Sequence, residues 1–190
     1  MHFHICIIFI IYNSFGFGPK KNDERYKTFT ITITSSEHGL DANDSVRSIN
    51  ATFNITSGKD GIHSDNSDDT SLGFVYVENG TFNITSDNIT SEGDGISASA
   101  YVLIQDETFI GTGAATMAQT LTGANQGVLT FNANGSSGSQ VEVKDSNGKT
   151  VAVFTPSLSY QYLVVTNDEI VSGQTYTVSI GENSMTVTAE

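Results

Sequence analysis

Apolar and polar residues alternate along the chain in short runs that are separated by turns. In the clearest run, Thr52 to Thr56, the Phe and Ile side chains stand two residues apart and therefore face one side of a strand, while Thr and Asn face the other. The same five letters, Thr-Phe-Asn-Ile-Thr, return at 81–85, and a looser copy occupies 28–32. Repetition of a whole segment indicates a fold built from stacked copies of one unit.

Each copy continues with two further strand-like pieces. The second pieces cover 38–42, 60–64 and 94–98, and the third pieces cover 45–49, 74–78 and 101–105. Phe29, Phe53, Phe82 and Phe109 recur in phase, which predicts that their rings stack along a common axis. An antiparallel sandwich would also contain short alternating strands, but it has no need to repeat one residue in the same strand. We therefore predict an all-β fold that contains a short right-handed parallel β-helix.

The repeat stops before residue 126, where alternating strands continue without the Thr-Phe signature. Ser-Asn-Gly-Lys at 146–149 is typical of a hairpin turn, because Asn-Gly accepts positive φ at low cost. These strands predict an antiparallel β cap that covers the open end of the coil, whose last strands would otherwise offer bare edges to other chains. The predicted organisation is an apolar segment at 1–26, β-helix repeats at 27–111, a linker with a short helix (113–121) at 112–125, and the cap at 126–190.

The N-terminal segment contains an apolar run from Ile5 to Tyr12. This run is too short to span a bilayer, so we expect no membrane insertion. Its length matches the apolar region of a signal peptide, although the preceding residues carry His rather than Lys or Arg. A first buried strand and a truncated start are the alternatives.

Composition and charge argue against two classes of binding partner. The 190 residues carry 21 acidic and 8 basic side chains, which gives a formal net charge of −13. Such a balance argues against a nucleic-acid partner, because binding there depends on Lys and Arg that neutralise phosphates. Attraction to an anionic membrane surface is equally disfavoured. Acidic turns can, however, supply oxygen ligands to a hard cation.

Carboxylates recur at matching turns of the copies. Stacking would bring matching positions to about 4.8 Å, where two carboxylates repel by about 3.5 kcal/mol at an effective dielectric near 20. A cation that bridges them removes this repulsion, and calcium takes six to eight oxygen ligands. The alternative is that Asp, Asn and Gly are ordinary turn residues. The residues predicted to hold calcium are Asp41, Asp44, Asp60, Asp65 and Asp94, with Asp68 and Glu92 in the same turns.

Several phrases together resemble a known family. "HGLDAND", "DGIHSDN" and "GDGIS", with the tail "VEVKDSNGKTVAVFTPSLSYQYLVVTNDEIVSGQTYTVSIG", are similar to secreted carbohydrate-binding parallel β-helix proteins of plant-biomass-degrading bacteria. The resemblance covers roughly 28–182. It implies calcium sites, binding of acidic plant polysaccharide such as polygalacturonate, and a pectate-lyase-like coil without established lyase activity.

Other candidate chemistry is sparse. Lys59 could serve a polysaccharide lyase as a base near calcium, or it could be a solvated loop lysine. His38 and His63 are interpreted as polar turn residues, because no spacing of a second His or a Cys supports a transition metal. Aromatic rings that could stack on sugars are Tyr76, Tyr101, Tyr160 and Tyr162, although a place in the core is the alternative for each.

The expected function is non-catalytic binding of an acidic plant cell-wall polysaccharide, through calcium, by a secreted or cell-surface protein. Two alternatives remain open. A polysaccharide lyase would need a base poised at the cation, and a structural or adhesive surface protein would need the fold alone.

Overall fold

A computed structural model describes residues 8–9, 29–49, 51–66, 68–69, 73–78, 80–86, 96–98, 101–105, 108–115, 122–123 and 126–190. Every regular element in this part of the chain is a β-strand, which confirms the prediction of an all-β fold. The strands of the first part are β1 (Ile8–Phe9), β2 (Phe29–Ser35), β3 (Leu40–Ala42), β4 (Ser45–Ile49), β5 (Ala51–Ser57), β6 (Ile62–Ser64), β7 (Phe74–Glu78), β8 (Thr81–Ser86), β9 (Ile96–Ala98), β10 (Tyr101–Gln105), β11 (Thr108–Gly113) and β12 (Thr122–Gly123). Those of the second part are β13 (Val128–Gly135), β14 (Val141–Lys144), β15 (Thr150–Phe154), β16 (Tyr160–Thr166), β17 (Thr175–Ile180) and β18 (Asn183–Thr188). Within the described ranges, no helix is long and apolar enough to cross a membrane.

Equivalent strands of successive copies pair in parallel and form three stacks. One sheet has the order β1-β4-β7-β10-β12, a second has the order β3-β6-β9, and a third contains β2, β5, β8 and β11 as neighbours. The alternation of side chains fixes which face is inside, since Phe53, Ile55, Phe82 and Ile84 are all buried in one core. Parallel stacking of this kind is what a parallel β-helix requires. The coil itself and its right-handed sense stay predictions.

The aromatic column along this core differs from the predicted one at its first member. The rings of Phe53 and Phe82 stack with centroids 4.7 Å apart, and those of Phe82 and Phe109 with centroids 6.1 Å apart. In the register of β2 with β5, however, Phe53 lies opposite Ile31, and Phe29 lies opposite Ala51. The prediction that Phe29 continues the column is therefore wrong.

The corner after β2 and β5 explains this shift of two residues. Gly39 donates its amide proton to the Asp60 carbonyl at 2.9 Å, and a Cβ on Gly39 would lie 2.5 Å from the carbonyl oxygen of Gly61. The two corners can approach this closely because residue 39 has no Cβ. Aligning the glycines sets Ile33 beside Ile55. Because side chains alternate with a period of two, the slip keeps every apolar residue inside.

The third stack continues as a mixed sheet in the order β13-β16-β11-β8-β5-β2, in which β16 pairs antiparallel with both β11 and β13. One face of β16 completes the first core with Tyr162 and Val164. Its other face contributes Leu163 and Val165 to a second core. That second core lies against the four-stranded antiparallel sheet β15-β14-β17-β18, so the mixed sheet is buried on both sides at this end.

The structure confirms the predicted hairpin turn but shows no helix at the start of the segment 113–121. Gly148 has a φ of 82° in the hairpin between β14 and β15, as the Asn-Gly signal predicted. The predicted helix at 113–121 begins on Gly113, the last residue of β11, and Ala114 and Ala115 are not helical. The rest of that segment lies outside the described residues. In the N-terminal segment, Ile8 and Phe9 pair in parallel with β4.

Candidate functional site

The outward side of the mixed sheet carries aligned rows of hydroxyl and amide side chains. Register places Thr30, Thr52 and Thr81 in one row, and Thr32, Asn54 and Asn83 in the next. We call this surface the Thr/Asn face, and its members are Thr30, Thr32, Thr34, Thr52, Asn54, Thr56, Thr81 and Asn83. Inward positions of the same strands hold Phe and Ile, so the strict alternation of the sequence produces the face.

Access to the Thr/Asn face decreases from β2 towards β11. Thr30, Thr32 and Thr34 are exposed, whereas Asn54 and Asn83 are half-buried. Further along the row, Ile110 replaces the polar residue and packs into the second core beneath the C-terminal strands. The Thr56 hydroxyl lies 3.0 Å from that of Ser157, in the loop before β16, so this loop borders the face.

The amide side chains of the face are held in a fixed orientation. Asn83 donates from Nδ2 to Oδ1 of Asn54 at 2.9 Å, one strand away. Such a ladder restrains both rotamers before any ligand arrives, and restrained groups lose less entropy on binding. The result is a flat surface of donors and acceptors on rigid strands.

Two of the carboxylates predicted to hold calcium face imidazole rings instead of one another. Asp41 Oδ1 lies 2.8 Å from His63 Nδ1, and Asp60 Oδ2 lies 3.2 Å from His38 Nδ1. The rings of His38 and His63 stack with centroids 4.4 Å apart and an interplanar angle of 19°. We call these four residues the His/Asp corner.

Sequence reasoning missed the His/Asp corner, because it interpreted both histidines as isolated turn residues. Asp41 and His63 are register partners in β3 and β6, and the preceding corner brings His38 over Asp60. The signal was nevertheless present: with the corner glycines aligned, His-Gly-Leu-Asp lies over Asp-Gly-Ile-His, so each histidine meets a carboxylate.

Two other predicted calcium residues lie at the next turn. Asp44 Oδ1 accepts from Asn66 Nδ2 at 2.8 Å, and Asn66 Oδ1 in turn accepts from the backbone amides of Asp68 and Asp69. Asp65, Asp68 and Asp69 are exposed. Asn66 therefore joins two acidic turns into one structure, which we call the acidic turn pair (43–44, 65–66 and 68–69). Asp94 and Glu92 lie outside the described residues.

Lys59 is paired with a carboxylate. Its Nζ lies 2.9 Å from Oε2 of Glu37 on the neighbouring turn. The hydrogen bond and the charge of Lys59 lower the pKa of Glu37 below its usual value. The carboxylate equally favours the charged ammonium, which has no lone pair with which to remove a proton.

The tyrosines proposed to stack on sugars differ in position. Tyr160 is only 1% exposed and Tyr162 only 9% exposed, so both belong to the cores rather than to a binding surface. Tyr76 is half-buried, and the side chain of Tyr101 lies outside the described part. Among the side chains that can be placed, polar strand residues rather than aromatic rings form the flat accessible surface.

Comparison with known proteins adds one finding. A family described as "Carbohydrate-binding domain-containing protein" matches residues 21–189 of the chain. Searches of curated proteins and of solved structures gave no match. The match spans the parallel sheets, the Thr/Asn face and the C-terminal strands together. The chain therefore belongs to the carbohydrate-binding domain-containing protein family.

Proposed function

We propose that the Thr/Asn face is the carbohydrate-binding surface of this protein. The observation that carries the proposal is the register of the mixed sheet, which aligns hydroxyl and amide groups in rows at one strand spacing. Sugar hydroxyls both donate and accept hydrogen bonds, and Thr and Asn side chains offer both partners. A flat array on rigid strands suits an extended polymer better than a small sugar, which usually occupies a concave pocket.

We also propose that the three parallel stacks form a right-handed parallel β-helix. In such a coil each additional turn widens the Thr/Asn face by about 4.8 Å, so the face lies across several turns. A polymer chain that runs along the stacking direction would contact every turn. This geometry supports a polysaccharide partner, and we propose plant cell-wall polysaccharide.

The proposed polymer is acidic, and calcium is the proposed link to it. A net charge of −13 repels a uronate polymer, so binding requires a local reversal of charge. Bound calcium supplies positive charge and open coordination positions to which uronate carboxylates bind.

The acidic turn pair fits this ion better than the His/Asp corner does. Asp44, Asp65 and Asp68 offer oxygen ligands, and none of the three pairs with a cation among the described residues. Asn66 holds the two turns together through amide contacts that leave the Asp65 and Asp68 carboxylates facing solvent. This proposed calcium site does not use Asp41 or Asp60, and the assignment of Asp94 stays a prediction because Asp94 lies outside the described residues.

Binding without cleavage is the proposed outcome, in a secreted or cell-surface protein. Lys59, the candidate base of the lyase alternative, is held as an ammonium by Glu37. A lyase base must be neutral and within reach of the substrate proton. The lyase alternative would therefore need another base.

Affinity electrophoresis tests the proposal. Gels contain polygalacturonate or a soluble β-glucan, each run with calcium and with EDTA. The variant replaces Thr30 and Thr32 by Val, which preserves the branched shape and removes the hydroxyls. Thr177→Val, an exposed strand position in the C-terminal sheet, is the matched control. We expect polygalacturonate to retard the native protein and the control, the double variant to be retarded several-fold less, and EDTA to abolish the retardation.

Each part of the proposal has its own contrary result. If neither polymer retards the protein, or if the double variant behaves as the control does, the Thr/Asn face is not the binding surface. Retardation that persists in EDTA would exclude the calcium link, and steady release of unsaturated uronides absorbing in the ultraviolet would show that the protein is a lyase.

A further inference from the structure

We propose that the His/Asp corner binds a transition-metal ion of the Zn²⁺ class, separately from calcium and from the sugar. His38, Asp60 and His63 are the proposed ligands, and Asp41 is a positioning residue. One candidate ligand atom from each of the three lies within 4.8 Å of those of the other two. Two imidazoles and one carboxylate are a common set of three protein ligands for zinc.

The backbone around the corner is rigid, so the ligands start from fixed positions. Gly39 and Leu40 donate amide protons to the carbonyls of Asp60 and Gly61, each at 2.9 Å. Beyond them, Leu40–Ala42 and Ile62–Ser64 pair residue by residue. Asp60 is almost fully buried, and the two imidazoles are partly exposed, so an ion can enter from solvent.

Asp41 orients the imidazole of His63 so that the ring can bind a metal ion through Nε2. When the Nδ1–H of His63 donates to Asp41 Oδ1 at 2.8 Å, the lone pair of the ring remains on Nε2. A carboxylate in this position fixes the orientation of a ligating imidazole. Asp41 therefore acts on the proposed ion through His63.

His38 supplies an independent indication. Its Nδ1 is buried and lies 3.2 Å from the Asp60 carboxylate, yet the alignment is not that of a hydrogen bond, and Nδ1 has no other hydrogen-bond partner in the described structure. A buried polar atom without a partner costs free energy. An ion shared with Asp60 would remove that cost after a small rotation of the ring.

The ligand types select the class of ion. Calcium prefers six to eight oxygens, which two imidazoles cannot supply, whereas imidazole nitrogen suits Zn²⁺, Cu²⁺ and Ni²⁺. Three protein ligands also leave the fourth tetrahedral position open to water or to another oxygen ligand. The corner is therefore expected to discriminate strongly against calcium.

The test uses the full chain with His2→Ala, His4→Ala and Cys6→Ser, which removes the N-terminal residues that could bind metal independently. Zn²⁺ binding is followed by calorimetry, and Co²⁺ is followed by its visible absorption. We expect one ion per chain, a higher melting temperature with Zn²⁺, and no displacement by millimolar Ca²⁺. His38→Ala, His63→Gln and Asp60→Asn should each weaken binding at least tenfold, and Asp41→Asn should weaken it roughly 10- to 100-fold.

Asp168→Asn, at an exposed position in the C-terminal part, is the matched control and should change nothing. The far-ultraviolet circular dichroism of every variant is recorded without metal, and only folded variants are compared. Since Asp41→Asn and His63→Gln change no more than one polar group, they keep the test decisive if His38→Ala fails to fold. Absence of Zn²⁺ binding in the background protein, or equal binding by the control and by all folded corner variants, would overturn the proposal. None of these readouts involves sugar, so the outcome is independent of the proposed function.

Discussion

Tyr160 is a residue whose burial has a measurable consequence. Its side chain is 1% exposed, and its hydroxyl is buried without a hydrogen-bond partner among the described residues. Gly135 makes the space for it, because a Cβ there would lie 2.1 Å from the ring. Burial raises the pKa of Tyr160 to about 12, because the charged phenolate is poorly solvated in the core.

Alkaline pH should therefore destabilise the protein through Tyr160. The unfolded chain releases this proton near pH 10, and the folded chain releases it only near pH 12. Between these values the unfolded state binds fewer protons, so the free energy of unfolding falls as pH rises. The contribution is fully present below pH 10, and the loss across this range amounts to roughly 3 kcal/mol, because each unit of pKa shift is equivalent to about 1.36 kcal/mol. Denaturant unfolding at several pH values should show a shallower alkaline decline for Tyr160→Phe.

Tyr176→Phe is the matched control. The Tyr176 hydroxyl accepts from the Val171 amide at 2.8 Å and donates to the Glu169 carbonyl at 3.1 Å. Its removal should cost about 1–3 kcal/mol at neutral pH. By contrast, Tyr160→Phe removes an unsatisfied hydroxyl and should be neutral or stabilising there. An equal loss for both variants at neutral pH, or parallel alkaline declines for Tyr160→Phe and the native protein, would contradict this account.

The strand that carries Phe82 occupies the centre of the aromatic column. Phe82 is fully buried and stacks on Phe53 on one side and on Phe109 on the other. Phe82→Ala should reduce the free energy of unfolding by about 3–5 kcal/mol, because the cavity is enclosed by strands on both sides. The half-buried Phe154, on β15 of the C-terminal sheet, is the control, and Phe154→Ala should cost clearly less. Equal losses in urea unfolding would show that the column is not the centre of the core.

Local strand structure could be predicted from the sequence, since alternation alone determines it. The predicted piece at 52–56 lies within β5, and the predicted piece at 74–78 coincides with β7. Alternation does not fix register to better than two residues, because a slip of two keeps the same side chains inside. The observed register is the one in which the corner glycines align, and in it Ile31 rather than Phe29 lies opposite Phe53.

The candidate sites depended on this register to different degrees. The Thr/Asn face survives a two-residue slip, because every outward position of β2 is a Thr. The His/Asp corner does not, because His63 meets Asp41 only in the observed pairing. The burial of Tyr160 and Tyr162 depended on the insertion of β16 between β11 and β13, and no local pattern encodes pairings between such distant segments.

For the whole molecule, the mixed sheet joins the parallel stacks to the C-terminal strands. Six strands from both parts share its hydrogen bonds, and the outer face of β11, β13 and β16 forms one side of the second core. Calorimetry should therefore show a single unfolding transition, since neither part can lose the sheet without exposing the other. Leu129→Ala, in the second core, should shift that whole transition to lower temperature. Two resolved transitions, with only one moved by Leu129→Ala, would show that the parts unfold separately.

The strand order of the mixed sheet also determines where the protein can lengthen over evolutionary time. At β11 the antiparallel β16 ends the parallel series, whereas within that series β5 contacts only β2 and β8 as sheet neighbours. Tandem duplication of the segment from β5 to β7 would therefore insert a further layer between existing ones and leave the C-terminal closure unchanged. Each duplication would add one more hydroxyl or amide group to every row of the Thr/Asn face. The number of such events would then set the length of polymer that one protein can cover.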